Sequence, residues 1–183
     1  MGTRGAFGWR LNNQDYITYN HFDSYPDELG ATMIKFISEN SDLQVMREKV
    51  AALRLVNDDT KPTAEEQTAL KKYSDDRVGA GSLADWYCLL RQTQGEPNLV
   101  LESGYILDFH DFLEDTTYCE YSYIINLDAN TFEFYTGGIR SFVAAFSLSI
   151  IIETVTNNPK AWESWTHLMN QLSNGQLEIS ETE

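Results

Sequence analysis

The first twenty residues alternate in the way that two paired strands do. Residues 4–11 mix aromatic and small side chains, residues 12–14 are polar, and residues 16–19 alternate apolar and polar positions. A period of two is typical of a strand that buries one face, and a short polar break between two such runs is typical of a turn. The pattern therefore predicts a β-hairpin at the start of the chain.

After Pro26 the apolar positions take a helical period. They are Leu29, Met33, Ile34, Phe36 and Ile37, followed by Leu43, Val45, Met46, Val50, Leu53 and Leu55. Spacings of three and four residues place these side chains on one face of a helix. A polar break containing Ser41 and Asp42 divides the run, and either residue is a good N-cap. We predict two amphipathic helices.

Residues 57–80 are highly polar. The Thr-x-x-Glu capping box at 63–66 predicts a helix that continues to about Tyr73, so this segment is interpreted as a helical excursion on the surface. Ser82 is then predicted to cap a more strongly amphipathic helix that ends at Gly95.

The second half of the chain indicates a sheet. Residues 99–107 favour an extended conformation, and residues 118–127 and 131–135, separated by a short polar turn, predict a second β-hairpin. The apolar run at 142–152 fits either a strand or a helix, because its spacing satisfies both periods.

Regularly spaced apolar residues after Pro159 predict a final amphipathic helix, and the polar residues 173–183 are expected to form an unstructured tail. Taken together, the elements predict an α+β fold, with antiparallel β-hairpins packed against amphipathic helices. We assign residues 1–172 to a single domain, since this length can bury one core without disulfide or metal staples.

The charge of the chain is strongly negative and unevenly distributed. The net charge is −15; residues 1–97 hold 11 Lys and Arg against 15 Asp and Glu, whereas residues 98–183 hold two against 13. Such a field repels nucleic-acid phosphates and attracts basic proteins. The charge therefore argues against direct binding of duplex nucleic acid and favours a basic protein partner.

Composition also bears on the compartment. The first residues lack the apolar core of a signal peptide, and the longest apolar run, 142–152, is too short to span a membrane. Cys88 and Cys119 show no metal-ligand spacing and are interpreted as reduced thiols. We expect a cytoplasmic protein with no membrane partner, metal or cofactor.

The densest cluster of hydrogen-bonding side chains occupies residues 19–26. Asp23 follows His21 by two residues and shares its face in an extended segment, so its carboxylate could orient the imidazole for acid–base chemistry, with Arg4 binding an anionic substrate. The alternative interpretation is structural: the polar side chains tie a strand-to-helix loop together through backbone hydrogen bonds. Binding of a ligand without chemistry is a third interpretation.

A second group of titratable residues, Asp108, His110 and Asp111, could supply further acids or metal ligands. Phe109 and Phe112 in the same segment instead favour a turn that packs its aromatic rings inward and leaves its acids in water. No glycine-rich nucleotide loop is present in the sequence.

Residues 3–5 with 19–26, and residues 119–128 with their return strand, resemble an uncharacterised family of phage and bacterial genomes. The similarity extends over about a third of the chain. No settled activity comes with this family. The resemblance implies a phage-like or mobile-element context, in which small acidic proteins often bind and disable host nucleases.

Charge and resemblance together favour an interaction protein that inhibits a host nucleic-acid-processing or defence enzyme, such as a CRISPR nuclease, by occlusion. The acidic residues expected to bind the basic partner are Glu114, Asp115, Glu120, Asp128 and Glu133. Exposed aromatic side chains of the 118–135 hairpin are expected to anchor the complex. Two alternatives stay open: a hydrolase or nuclease acting on RNA, guide RNA or a nucleotide through His21 and Asp23, and a protein that binds a nucleotide signal.

Overall fold

A five-stranded sheet lies at the centre of the protein. The structure is a computed structural model and describes residues 2–137 and 141–176. The strands of the sheet are β1 (Gly5–Leu11), β2 (Gln14–Asn20), β5 (Tyr121–Asn126), β6 (Thr131–Thr136) and β7 (Phe142–Ser147). Their order is β2-β1-β5-β6-β7, in which β1 and β5 are parallel and every other neighbouring pair is antiparallel. A separate parallel pair joins β3 (Arg54–Val56) to β4 (Tyr105–Leu107).

Seven α-helices accompany the strands in the described ranges. They are α1 (Ala31–Glu39), α2 (Leu43–Ala51), α3 (Ala64–Leu70), α4 (Trp86–Leu89), α5 (Pro97–Ser103), α6 (Leu148–Asn157) and α7 (Ala161–Ser173). One wide helical turn, Pro26–Gly30, leads directly into α1. No helix in these ranges is long and apolar enough to cross a membrane.

The main core lies between one face of the sheet and the helices. Alternate residues of β1, Phe7, Trp9 and Leu11, point to this face and pack with the apolar sides of α1, α2, α6 and α7. The edge of the Trp9 ring meets Phe36 of α1 at 5.8 Å between centroids. Alternation along β1 and helical spacing along α1 thus bury complementary faces, as the sequence indicates.

A second cluster of buried residues lies beside the sheet. It contains Val56, Leu70, Tyr73, Trp86, Leu89, Leu90 and Leu107. Thr63 and Glu66 form the predicted capping box at the start of α3. The polar excursion is therefore helical as predicted, but Leu70 and Tyr73 attach it firmly to the body of the protein.

The α+β class and the two β-hairpins are confirmed. The extended conformation expected for residues 99–107 is wrong over its first half, because Pro97 starts α5 and Gly104, with φ of +73°, ends it. Proline suits the first helical position, and glycine adopts the left-handed conformation of a helix end at little cost.

The helix expected from Ser82 to Gly95 is shorter than predicted. Asp85 rather than Ser82 caps α4, since the Asp85 carboxylate accepts a hydrogen bond from the Tyr87 amide, and the helix ends at Leu89. The apolar run at 142–152, which fitted either a strand or a helix, forms a strand in its first half, β7, and a helix in its second half, α6. The final helix reaches Ser173, and residues 177–183 of the expected unstructured tail lie outside the described residues.

Candidate functional site

The loop of residues 21–25 follows β2 and is fixed to the sheet by buried polar groups. The Asn20 side-chain amide donates to the Phe22 carbonyl at 2.5 Å and to Ser24 Oγ at 2.9 Å. The Ser24 amide donates to the Thr3 carbonyl at 3.2 Å, and the Tyr123 hydroxyl donates to the Ser24 carbonyl at 2.9 Å. Because buried polar groups are costly to leave unpaired, this network determines the path of the loop.

Gly5 permits the close approach of this loop to the sheet. A Cβ atom at this position would lie 2.5 Å from the Tyr121 carbonyl oxygen and 2.7 Å from Ser24 Cβ. Both distances are too short for any side chain, and the carbonyl belongs to the rigid backbone of β5. The loop can therefore lie this close to β5 only if position 5 is glycine.

Phe22 and Asp23, at the middle of the loop, face solvent. Asp23 has φ of +54°, a left-handed conformation that Asp and Asn tolerate better than most residues. The amide of Leu29 donates to the Asp23 carbonyl at 3.1 Å and returns the chain toward α1. The Phe22 side chain is 52% exposed, which is unusual for a phenylalanine beside a tightly built loop.

A cleft of about 230 Å³ separates this loop from the turn at Arg91–Gly95. Its lining residues are Asn20, Phe22, Asp23, Glu28, Leu29, Thr32, Arg91, Gln94 and Gly95. Arg91 Nη1 donates to Gln94 Oε1 at 2.7 Å, and its guanidinium carbon lies 6.0 Å from the centre of the Phe22 ring. Arg91 Nε is buried and has no hydrogen-bond partner among the described residues. The cleft therefore combines an oriented cation with an aromatic wall.

His21 lies beside the cleft, under the influence of two arginines. Its Nδ1 atom is 2.7 Å from the Tyr19 hydroxyl. Burial lowers the pKa of His21, and the positive charges of Arg91 and Arg4 lower it further. Burial raises the pKa of Tyr19, while the charges of Arg4 and Arg91 act in the opposite direction. Both guanidinium groups are thus close enough to act on the same two side chains.

The structure brings two of the three predicted catalytic residues together. Arg4 lies near His21, and its guanidinium carbon is 5.5 Å from the centre of the Tyr118 ring. Asp23 does not hydrogen-bond to His21 among the described contacts; Tyr19 occupies Nδ1 instead. The expected orientation of the imidazole by Asp23 is therefore wrong, because the left-handed turn at Asp23 breaks the extended geometry that the expectation required.

Sequence reasoning missed Arg91 and Gln94. They lie about seventy residues from the 19–26 cluster and carry no motif of their own. Gly95, with φ of +75° and its α-carbon close to the Asn20 side chain, is the one local signal that the chain turns here. Only the tertiary fold places this turn opposite the loop.

The residues expected to bind a basic partner mostly accept hydrogen bonds from other parts of the protein itself. Asp115 accepts hydrogen bonds from the Thr117 and Tyr118 amides, and Glu120 accepts one from the Arg4 amide. The amides of Asn12 and Asn13, at the tip of the first hairpin, donate to Asp128 and lower its pKa. Glu114, Glu120 and Asp128 are exposed, and Asp115 is partly buried.

Glu133 is not part of any acidic surface. Its side chain is on β6, only 8% exposed, and forms an ion pair with Arg10 at 3.3 Å. Tyr135 and Asn126 donate further hydrogen bonds to its carboxylate at 2.6 and 2.7 Å. The prediction of Glu133 as a partner-binding residue is therefore wrong, because its charge is neutralised within the sheet.

The aromatic anchors expected on the second hairpin are also mostly buried. Tyr123, Phe132 and Phe134 have no solvent-accessible surface, because they face the helices of the main core. Tyr118, which precedes the hairpin, is the exception at 55% exposed. Tyr121 is partly exposed, so Tyr118 is the most accessible of the aromatic side chains expected to anchor a partner.

A second, acidic pocket of about 300 Å³ surrounds His110. His110 Nδ1 lies 2.9 Å from Asp108, and Nε2 lies 2.9 Å from Asp111. The hydrogen bond to Asp108 raises the pKa of His110, with a smaller contribution from the charge of Asp111. Across the described ranges, no group of three His, Cys, Asp or Glu side chains is arranged to hold a metal ion.

No protein-family model matches this chain. No curated protein and no solved structure matches it either. The resemblance to a phage and bacterial family therefore stays a prediction.

Proposed function

We propose that this protein binds a small phosphate-bearing ligand of the nucleotide class in the cleft beside Phe22 and Arg91. The observation that carries the proposal is a cleft in which the Arg91 guanidinium, held by Gln94, lies beside the exposed ring of Phe22. Arg91 is the one cation among the described residues that line the cleft, so its guanidinium is the group there that would bind an anion.

Arg91 is suited to hold the phosphate. Gln94 fixes one of its terminal nitrogens at 2.7 Å, so less side-chain entropy is lost when the guanidinium binds. A guanidinium presents several N–H donors in one plane, and a phosphate accepts two of them at once.

Phe22 is suited to hold the base. More than half of its side chain is accessible, and its ring forms a wall of the same cleft as Arg91. Stacking of a base on an aromatic ring contributes roughly 1–3 kcal/mol and tolerates different bases. The carboxylates of Asp23 and Glu28 line the cleft too and can accept hydrogen bonds from base N–H groups.

The test is a binding titration with inorganic phosphate, ribose 5-phosphate and the four nucleoside monophosphates, read by calorimetry and thermal stabilisation. We expect nucleotides to bind more tightly than phosphate alone. Arg91→Gln should weaken nucleotide binding at least about tenfold, which corresponds to about 1.4 kcal/mol.

The matched control is Lys49→Gln, which removes one positive charge from an exposed position of α2. It should bind as the wild type does. Equal loss of nucleotide affinity in Arg91→Gln and Lys49→Gln would mean that only the net charge of the protein matters. If none of the compounds binds, the proposal is contradicted. Phe22→Leu should weaken binding of nucleotides but not of phosphate.

A hydrolase or nuclease acting at the same site is the second candidate. Its support is the position of His21, whose ring lies 4.2 Å from that of Phe22 at the cleft and whose lowered pKa leaves the imidazole in its neutral, proton-accepting form. The test is product formation from RNA or a bound nucleotide by wild type and by His21→Ala. An unchanged rate in the variant contradicts this candidate.

An acidic inhibitor of a host defence enzyme, such as a CRISPR nuclease, is the third candidate. Its support is the exposed Tyr118, which lies in the chain between Glu114 and Glu120 and is the type of residue that anchors interfaces. The expected result is capture of one basic host protein at low salt that is lost at about 0.5 M salt, since such binding is electrostatic. Loss of capture in Tyr118→Ala would locate the interface.

A further inference from the structure

Among the described residues that line the cleft beside Phe22 and Arg91, negative side chains outnumber positive ones. Arg91 is the cation, and the carboxylates belong to Asp23 and Glu28. When Arg91 binds the phosphate, both carboxylates stay beside the ligand as acceptors, because an ionised carboxylate accepts hydrogen bonds and donates none. A nucleotide that fits this cleft must therefore offer N–H donors from its base.

Asp23 is the better placed of the two carboxylates, because its backbone is fixed on both sides. The Phe22 carbonyl accepts a hydrogen bond from the Asn20 side chain, and the Asp23 carbonyl accepts one from the Leu29 amide. The side chain of Asp is also shorter than that of Glu, so less conformational entropy is lost when it binds. Asp23 therefore offers both carboxylate oxygens from a defined position directly after Phe22 in the chain.

We propose that the cleft selects guanine nucleotides and that the Asp23 carboxylate recognises the base, an inference that rests on the nucleotide function proposed above. Guanine carries two adjacent N–H donors on its Watson–Crick edge, N1–H and the 2-amino group. Such a pair of parallel donors matches the two oxygens of one carboxylate, as the fork of a guanidinium does. Contact with both oxygens also fixes the orientation of the base against the Phe22 ring.

The other three bases lack this pair of donors. Adenine and cytosine have an unprotonated ring nitrogen beside their amino group, and uracil has its N–H between two carbonyl oxygens. A carboxylate that faces one of these edges meets at least one lone pair, which repels it and leaves one of its oxygens without a hydrogen bond. Asp23 therefore favours guanine and also disfavours its competitors.

The test is calorimetric titration of the whole chain with the monophosphates of guanosine, inosine, adenosine, cytidine and uridine. Inosine gives the sharpest comparison, because it lacks only the 2-amino group of guanosine. We expect the guanosine compound to bind at least about tenfold more tightly than each of the others, since one bidentate contact to a base discriminates by this much. Equal binding of all the compounds would overturn the guanine preference and leave the nucleotide function intact, whereas binding of none would overturn both.

Asp23→Asn tests the residue that makes the contact. Asparagine tolerates the φ of +54° at this position, so the loop should keep its path. The new NH2 group meets a guanine N–H donor instead of accepting from it. Affinity for the guanosine compound should therefore fall at least about tenfold, while affinity for the adenosine compound should not fall.

Glu28→Gln is the matched control, because it removes the same charge from another residue that lines the same cleft. This variant should keep the preference for guanine. A preference that survives Asp23→Asn, or one that Glu28→Gln abolishes, would overturn the assignment of base recognition to Asp23.

Discussion

His21 and His110 lie in opposite electrostatic environments in the same small protein. Burial lowers the pKa of His21, and the charges of Arg91 and Arg4 lower it further. His110 bonds to Asp108 and Asp111 at 2.9 Å each, and its pKa is raised. His21 belongs to a loop that buried hydrogen bonds fix to the sheet, whereas His110 is exposed.

The net charge of −15 therefore agrees with the acidic surroundings of His110 but not with the arginines near His21. The acids around His110 are its neighbours in sequence, so this environment is set locally. The cations around His21 come from the first residues of the chain and from Arg91, so this environment exists only in the folded protein. Unfolding should therefore remove the environment of His21 more completely than that of His110.

The largest expected effect distinguishes the two regions by stability. Asn20→Leu removes the hydrogen bonds to Phe22 and Ser24 and leaves buried polar atoms unpaired, which should lower the free energy of unfolding by about 1–3 kcal/mol. Asp111→Asn, at the exposed pocket, should change it by less than about 0.5 kcal/mol. Urea denaturation of both variants measures the difference, and equal losses would show that the two regions are built alike.

A second, intermediate effect concerns the pKa values themselves. Removing the charge in Arg91→Gln should raise the pKa of His21, and Asp108→Asn should lower the pKa of His110. The chain has three histidines, so NMR titration of the ring protons resolves each one. Lys49→Gln is the control for a change in net charge. If Lys49→Gln shifts the pKa of His21 as much as Arg91→Gln does, the effect of Arg91 on that pKa is not local.

The sequence predicts the hairpins, the capping box of α3 and the acidic surroundings of His110, because each depends on residues close together in the chain. Arg4 and His21 are both candidate catalytic residues, and the pairing of Gly5 with Asn20 brings them to one end of the sheet.

Sequence reasoning failed where the answer depends on distant partners. Arg91 meets Phe22 only through the packing of the second cluster beside β2. Glu133 looks exposed in a hairpin of alternating residues, but Arg10 from the first hairpin neutralises it across β5. Neither contact has a periodic or local signature, so a single sequence gives no basis for it.

The smallest expected effect is an opposite pH dependence of stability at the two histidines. For His21 the pKa in the folded protein lies below the ordinary value of 6.5. At pH values between these two pKa values, the unfolded chain binds more protons than the folded protein does. Its contribution to stability is present above pH 6.5 and is lost as pH falls through the folded pKa. For His110 the folded pKa lies above 6.5, so its contribution is present below that pH and is lost as pH rises through the folded pKa.

Denaturation of wild type, His21→Asn and His110→Asn between about pH 5 and pH 8 tests these signs. Relative to His21→Asn, wild type should lose stability on acidification, because folded His21 resists the proton that the unfolded chain accepts. Relative to His110→Asn, wild type should gain stability on acidification, because Asp108 and Asp111 stabilise the imidazolium. Each difference should stay below about 1 kcal/mol, since both rings contact solvent. Two curves of the same slope would mean that burial and the charges of Arg91 and Arg4 do not lower the pKa of His21 in the folded protein.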